Sequence, residues 1–141
     1  MNTTVVRTSS QNVANTTSTG RYVRAGLVGG VAAAALNSGI AVVVKAFDVK
    51  LEAQGKGFPA LAFAQVTLFA TIVGIGLAAI LVRRARRPRH AFVVTTVVLT
   101  VVSLVPPLLI GATAATVAVL EVMHVLAGLV VIPAMASRLP E

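Results

Sequence analysis

Charge is excluded from four long stretches of this chain. Residues 25–44, 60–82, 91–110 and 113–136 carry no Lys, Arg or Asp, and their only charged side chain is Glu121. His124, one turn beyond Glu121, is the other titratable group deep within a run. Each run is long enough to cross a bilayer, which takes about 20 residues of helix. Over the whole chain 57% of residues are apolar and 11% are charged, against roughly one quarter charged in a soluble domain. A water-soluble fold of 141 residues has no core large enough to hide four such runs. The pattern predicts an all-α, four-transmembrane-helix bundle running up-down-up-down.

Between the runs the charge is basic, and its placement sets an orientation. Arg83, Arg84, Arg86, Arg87 and Arg89 crowd one short connector, and Arg21 and Arg24 precede the first run. Lys and Arg beside a span hold that side in the cytoplasm. The inner side would also receive Arg7 and Arg138, while the connector at 45–57 offsets Lys45, Lys50 and Lys56 with Asp48 and Glu52. Both termini are therefore expected to be cytoplasmic. The arginine cluster fits a topogenic signal that also meets anionic lipid. A net charge of +8 would suggest nucleic acid in a soluble protein, but this cluster has no interleaved aromatic side chain for base stacking. Membrane lipids, a second copy or a membrane-protein partner are the expected contacts, and nucleic acid is not.

Residues 1–20 form a polar Ser/Thr/Asn tail without apolar period, expected to be disordered, and residues 21–141 form the membrane domain. Two Asn-x-Thr triplets, at Asn2 and Asn15, match a glycosylation pattern but would lie in the cytoplasm. The first run is too long for the core of a cleaved signal peptide, so an uncleaved first span is expected. Tyr22, Phe47, Phe58 and Phe92 are the aromatic anchors near the run ends, and tryptophan is absent. With no cysteine, disulfides, thiolate metal sites and thiol catalysis are excluded.

Small residues give the packing faces. Gly26, Gly30, Ala33, Asn37 and Ala41 recur at spacings of three and four, which aligns them on one side of the first helix and admits a close neighbour. The second span begins at Pro59 and carries Gln65, Thr67, Thr71, Gly74 and Ala78. Its Gly74-Ile-Gly76-Leu-Ala-Ala segment imitates a dinucleotide-binding loop without the preceding strand, so packing glycines are expected there. In the third span Thr95, Thr96, Thr100 and Ser103 can bond to carbonyls of their own helix. Pro106 and Pro107 must bend or end it, and Gly111-Ala112 turns tightly into a fourth span interrupted at Pro133.

The one candidate site is a polar layer. At 1.5 Å of rise per residue, Glu121, Asn37 and Ser103 all fall about 12 Å below the outer surface, with Gln65 at about 8 Å and His124 at about 16 Å. A carboxyl near the bilayer centre costs about 2.5–3.5 kcal/mol and should face sibling helices and find partners. Glu121 is expected to contact at least one of His124, Asn37 or Gln65. The layer fits interhelical hydrogen bonding, and it also fits a proton- or cation-handling site centred on Glu121. A di-iron site would need a second Glu-x-x-His motif and more carboxylates than the spans hold. No metal or other cofactor is expected, and no nucleophile–base–orienter set suggests an enzyme.

Several segments carry a resemblance. Ser103-Leu-Val-Pro-Pro-Leu-Leu109, the stretch from Glu121-Val-Met-His124 to Ile132-Pro133, Arg138-Leu-Pro140 and Phe58-Pro-Ala-Leu-Ala-Phe-Ala-Gln65 resemble an uncharacterised family of small actinobacterial four-span membrane proteins. The likeness covers residues 22–140. It implies a four-helix architecture in a bacterial plasma membrane and gives no residue a role. A non-enzymatic envelope or accessory module is the expected function, with a small proton-coupled transporter or channel-like protein using Glu121 as the alternative.

Overall fold

The computed structural model describes residues 3–141, with side chains placed from Thr19 onward. The polar tail expected over residues 1–20 lies outside those described side chains, Thr19 and Gly20 excepted. Five helices and one small hairpin follow in order: α1 (Thr3–Ala46), β1 (Glu52–Ala53), β2 (Lys56–Gly57), α2 (Ala60–Arg84), α3 (Pro88–Val102), α4 (Val105–Leu109) and α5 (Ala114–Ala136). Four segments are long and apolar enough to cross a membrane: Thr19–Ala46, Ala60–Arg84, Pro88–Leu109 and Ala114–Ala136. They match the four apolar runs to within a few residues. Only 33% of the most apolar window of the first is buried, and 11% of the last two, so most of this apolar surface faces outward, as lipid requires.

The bundle is built on α1, which packs along α2 on one side and α5 on the other. The face expected from the small-residue spacing is the buried face: Ala33 and Ala41 are fully buried, Asn37 is 5% exposed, and Gly26 and Gly30 are buried with them. A Cβ at Gly30 would stand 2.4 Å from Thr71 of α2, and one at Gly26 would stand 2.8 Å from Ile75 of α2 and 3.1 Å from Met135 of α5. Gly29 faces Ala134 of α5 in the same way, at 3.4 Å. Hydrogen at these positions lets three backbones converge. The glycines of α2 differ from expectation. A Cβ at Gly74 or Gly76 would meet nothing within 4 Å, so they are not packing glycines, and Gly74 instead borders a cavity.

Each end of the bundle has its own apolar cluster. Tyr22, Ala78, Phe92, Met135, Ala136 and Leu139 close the end bearing the arginine connector. Arg89 pairs there with the carboxylate of Glu141. Ala41, Leu51, Phe63 and Met123 close the other end. Because Tyr22 and Leu139 share one cluster, the start of the first span and the end of the chain lie together, as an even number of crossings demands.

The connector between α1 and α2 is more ordered than its mixed charge suggests. α1 stops in a Schellman turn, with Asp48 left-handed at φ 59°, the Val49 amide donating to the Val44 carbonyl at 3.3 Å and the Asp48 amide to Lys45 at 3.1 Å. Gln54 and Gly55, both at positive φ (52° and 73°), then turn the hairpin, the combination that a type I′ turn requires. Thr116 of α5, fully buried, ties this hairpin down: its hydroxyl accepts from the Glu52 amide at 3.1 Å and donates to the Lys50 carbonyl at 3.2 Å. Thr113 caps α5 by accepting from the Thr116 amide.

The third crossing breaks where its prolines dictate. Pro106 and Pro107 lack the amide protons that would bond the carbonyls of Val102 and Ser103, and α3 ends at Val102. The chain resumes as α4 with both prolines in its first turn, where no amide proton is needed.

Gly30→Ala tests the central seam. The new methyl would strike Thr71, whose hydroxyl is held on the Thr67 carbonyl at 2.8 Å, so it cannot swing aside freely. The expected loss is about 1–3 kcal/mol in reversible unfolding from detergent. Gly39→Ala, on an exposed face with nothing within 4 Å, should cause no loss.

Candidate functional site

Asn37 is the polar centre of the helix seam. Its Nδ2 donates to Thr67 Oγ1 across 3.0 Å. Thr67 spends its own single proton on the Phe63 carbonyl at 2.7 Å, so toward Asn37 it can only accept. That fixes which way the amide points and leaves Asn37 Oδ1 buried without a donor. The partner of Asn37 is therefore Thr67 rather than Gln65. Residues two apart on a helix project to nearly opposite sides, and Gln65 is exposed while Thr67 is 9% exposed.

Beside this seam lies a cavity of about 600 Å³ between α2, α3 and α5, with Asn37 of α1 in its wall. Phe63 and Met123 bound it toward one end, and Phe92 and Met135 toward the other. Val66, Phe69 and Val73 of α2 and Leu99 of α3 border it while more than half exposed, so it opens sideways between α2 and α3. Ser103 and His124 also line it. Ser103 donates back to the Thr100 carbonyl at 2.7 Å, and Thr96 and Thr100 likewise bond carbonyls four residues back, as expected for hydroxyls in a membrane helix. His124 Nδ1 lies 2.7 Å from the Leu120 carbonyl of its own helix.

Of the five residues of the expected layer, Asn37, Ser103 and His124 thus meet around one cavity, and Gln65 and Glu121 do not line it. Glu121 is half-buried and makes no hydrogen bond or ion pair among the described residues. The expected contact with His124 is not formed, because the imidazole turns to the backbone of Leu120 instead. Glu121 shares a helix edge with Gly128, which faces Thr100 of α3 at 3.4 Å, so the residue lies on the edge of α5 that borders α3. Among the described residues no three His, Asp or Glu side chains come together as a metal site.

The basic connector is a tight hairpin, with only residues 85–87 between α2 and α3. Arg83, Arg84, Arg86, Arg87 and Arg89 are all exposed on it, and Arg21, Arg24 and Arg138 adjoin the apolar cluster at the same end.

A model of a family of unknown function, DUF6069, matches residues 17–141. The chain belongs to this family. DUF6069 thus covers all four crossings. No curated protein and no solved structure matches the chain.

Thr67, Thr96 and Thr100 are the site residues that depth alone did not select. Thr67 and Thr71 had a readable signal: they stand four apart on the face of α2 that also carries Ala78, and that face meets α1. Thr67→Val keeps the shape of the side chain but strands the Asn37 amide. A destabilisation of about 1 kcal/mol is expected in reversible unfolding from detergent. Gln65→Leu, on the outer face of the same helix, should cost less than about 0.5 kcal/mol.

Proposed function

We propose that this chain is a non-enzymatic module of a bacterial plasma membrane that associates with a second copy or with a membrane-protein partner. Glu121 carries the reading. A carboxyl this deep costs about 2.5–3.5 kcal/mol unless it is paired, and no described residue gives it a donor. A donor from another polypeptide meeting the α3–α5 edge would relieve that cost. Gln65, exposed on α2 at a similar depth, is a further polar group offered outward. Both termini are assigned to the cytoplasm, with the arginine end against the anionic leaflet, on the basis of the charge asymmetry between the two ends.

Proton-coupled transport through Glu121 is the competing reading. It requires the carboxyl to border a path, and Glu121 does not line the cavity. A photo-crosslinking residue in place of Val122, the exposed neighbour of Glu121, separates the two in native membranes. Association predicts adducts to polypeptide that fall about ten-fold when Glu121→Leu is added. Adducts to lipid alone, together with proton-coupled uptake lost in Glu121→Gln, would replace this proposal with transport.

Orientation has its own test, made simple by the absence of cysteine. Lys56→Cys in the hairpin should react with an impermeant maleimide on intact spheroplasts, and Ser137→Cys should react only after the membrane is opened. The reverse pattern would invert the topology.

A further inference from the structure

The wall of the α2–α3–α5 cavity is chemically one-sided. Thr67, Thr71, Thr96, Thr100 and Ser103 each spend their only hydroxyl proton on a carbonyl of their own helix. None of the five has a hydroxyl proton left to offer the cavity. His124 follows the same rule. A carbonyl only accepts, so Nδ1 must donate to Leu120, and in the neutral ring Nε2 is left as an acceptor. Nε2 has no partner among the described residues, yet it is not sealed from its surroundings as Asn37 Oδ1 is. The one unspent proton of the set is the second N–H of Asn37, a residue only 5% exposed. Among the described residues no Lys, Arg, Asp or Glu lines the space, so a phosphate or carboxylate headgroup would find no counter-charge there. The rest of the wall is apolar and open sideways, toward acyl chains once the protein is in a bilayer.

We infer that this cavity binds an uncharged aliphatic alcohol from the lipid phase, its chain along the apolar wall and its hydroxyl donating to His124 Nε2. About 600 Å³ lies within the usual size of small-molecule sites, about 300–1,000 Å³. A ligand with only acceptors, such as an ether or ester, would leave the histidine unanswered and set lone pair against lone pair. A hydroxyl supplies the missing kind of group. The site is separate from Glu121 and does not depend on what that carboxyl meets.

The test uses the full-length chain in detergent and two photoreactive probes: a twelve-carbon alcohol with a mid-chain diazirine, and its methyl ether. The two share shape and apolarity and differ in the donor. The alcohol should saturate labelling at about ten-fold lower concentration than the ether, with adducts on cavity residues such as Thr96, Leu99 and Gly128. His124→Phe should reduce that ratio to about one while leaving the ether curve in place, which also reports that the cavity is intact. His124→Gln, whose amide oxygen accepts, should restore much of the preference. Equal saturation by the two probes in the unaltered chain would overturn the inference. So would a preference that survives His124→Phe, or adducts confined to outward residues such as Val98 and Leu129.

Discussion

Between helices in a bilayer the hydrophobic effect contributes little, because lipid tails are as apolar as leucine. Association then depends on how closely two backbones approach. In this chain the close approach is concentrated on one strip of α1, where Gly26, Gly30, Ala33, Asn37 and Ala41 let α2 and α5 draw in from either side. Asn37 lies within that strip and adds a directional bond to Thr67, which fixes the register of α1 against α2 as small residues alone could not. The third crossing has no comparable strip against α1 and packs on α2 and α5 instead. The cavity lies where that looser crossing stands off from its neighbours.

The same constraint explains the chemistry of the cavity wall. A hydroxyl in a membrane helix has no water to bond, so it turns to the carbonyl one turn back. Four threonines and Ser103 do this around the cavity, and His124 does it through Nδ1. Each bond makes its helix self-sufficient in lipid, and each consumes a donor that is then no longer free to serve a ligand. The prolines of α4 work in the same direction, since they withhold the amide donors due to Val102 and Ser103. A wall rich in acceptors and poor in donors follows from how polar groups are made tolerable in a membrane, before any ligand is considered.

How much of this could be read from sequence depends on the kind of signal. Length and apolarity decide a crossing almost alone, and the four runs show it. Helical spacing revealed the α1 strip, because a period of three and four is a statement about faces. Depth was a weaker guide. It put Glu121 level with Asn37 and Gln65 nearby but said nothing about which way they point, and Thr67, two residues beyond Gln65, takes the bond. The glycines of α2 misled for a related reason: a small residue permits close packing, but only a neighbour on that side uses it. The connector hairpin held a legible turn in Gln54-Gly55, whereas its anchor, Thr116, lies more than sixty residues away and has no local signature.

Glu121 and His124 show why that distinction matters for function. On a helical wheel they are a pair, and pairing would silence both: the carboxylate would use up the imidazole proton and neither would need anything further. The bond from Nδ1 to Leu120 uncouples them. His124 is left with an acceptor on the cavity side of α5, and Glu121 is left with unspent acceptors beside the α3–α5 contact. One turn of helix therefore carries two groups without a hydrogen-bond donor among the described residues, one lining the cavity and one not. In the two proposals, a small molecule entering between α2 and α3 would reach the histidine, whereas a polypeptide approaching the outer edge would reach the carboxyl. Answering one demand would not answer the other, so the proposed occupancy of the cavity and the proposed association of the chain can be tested separately.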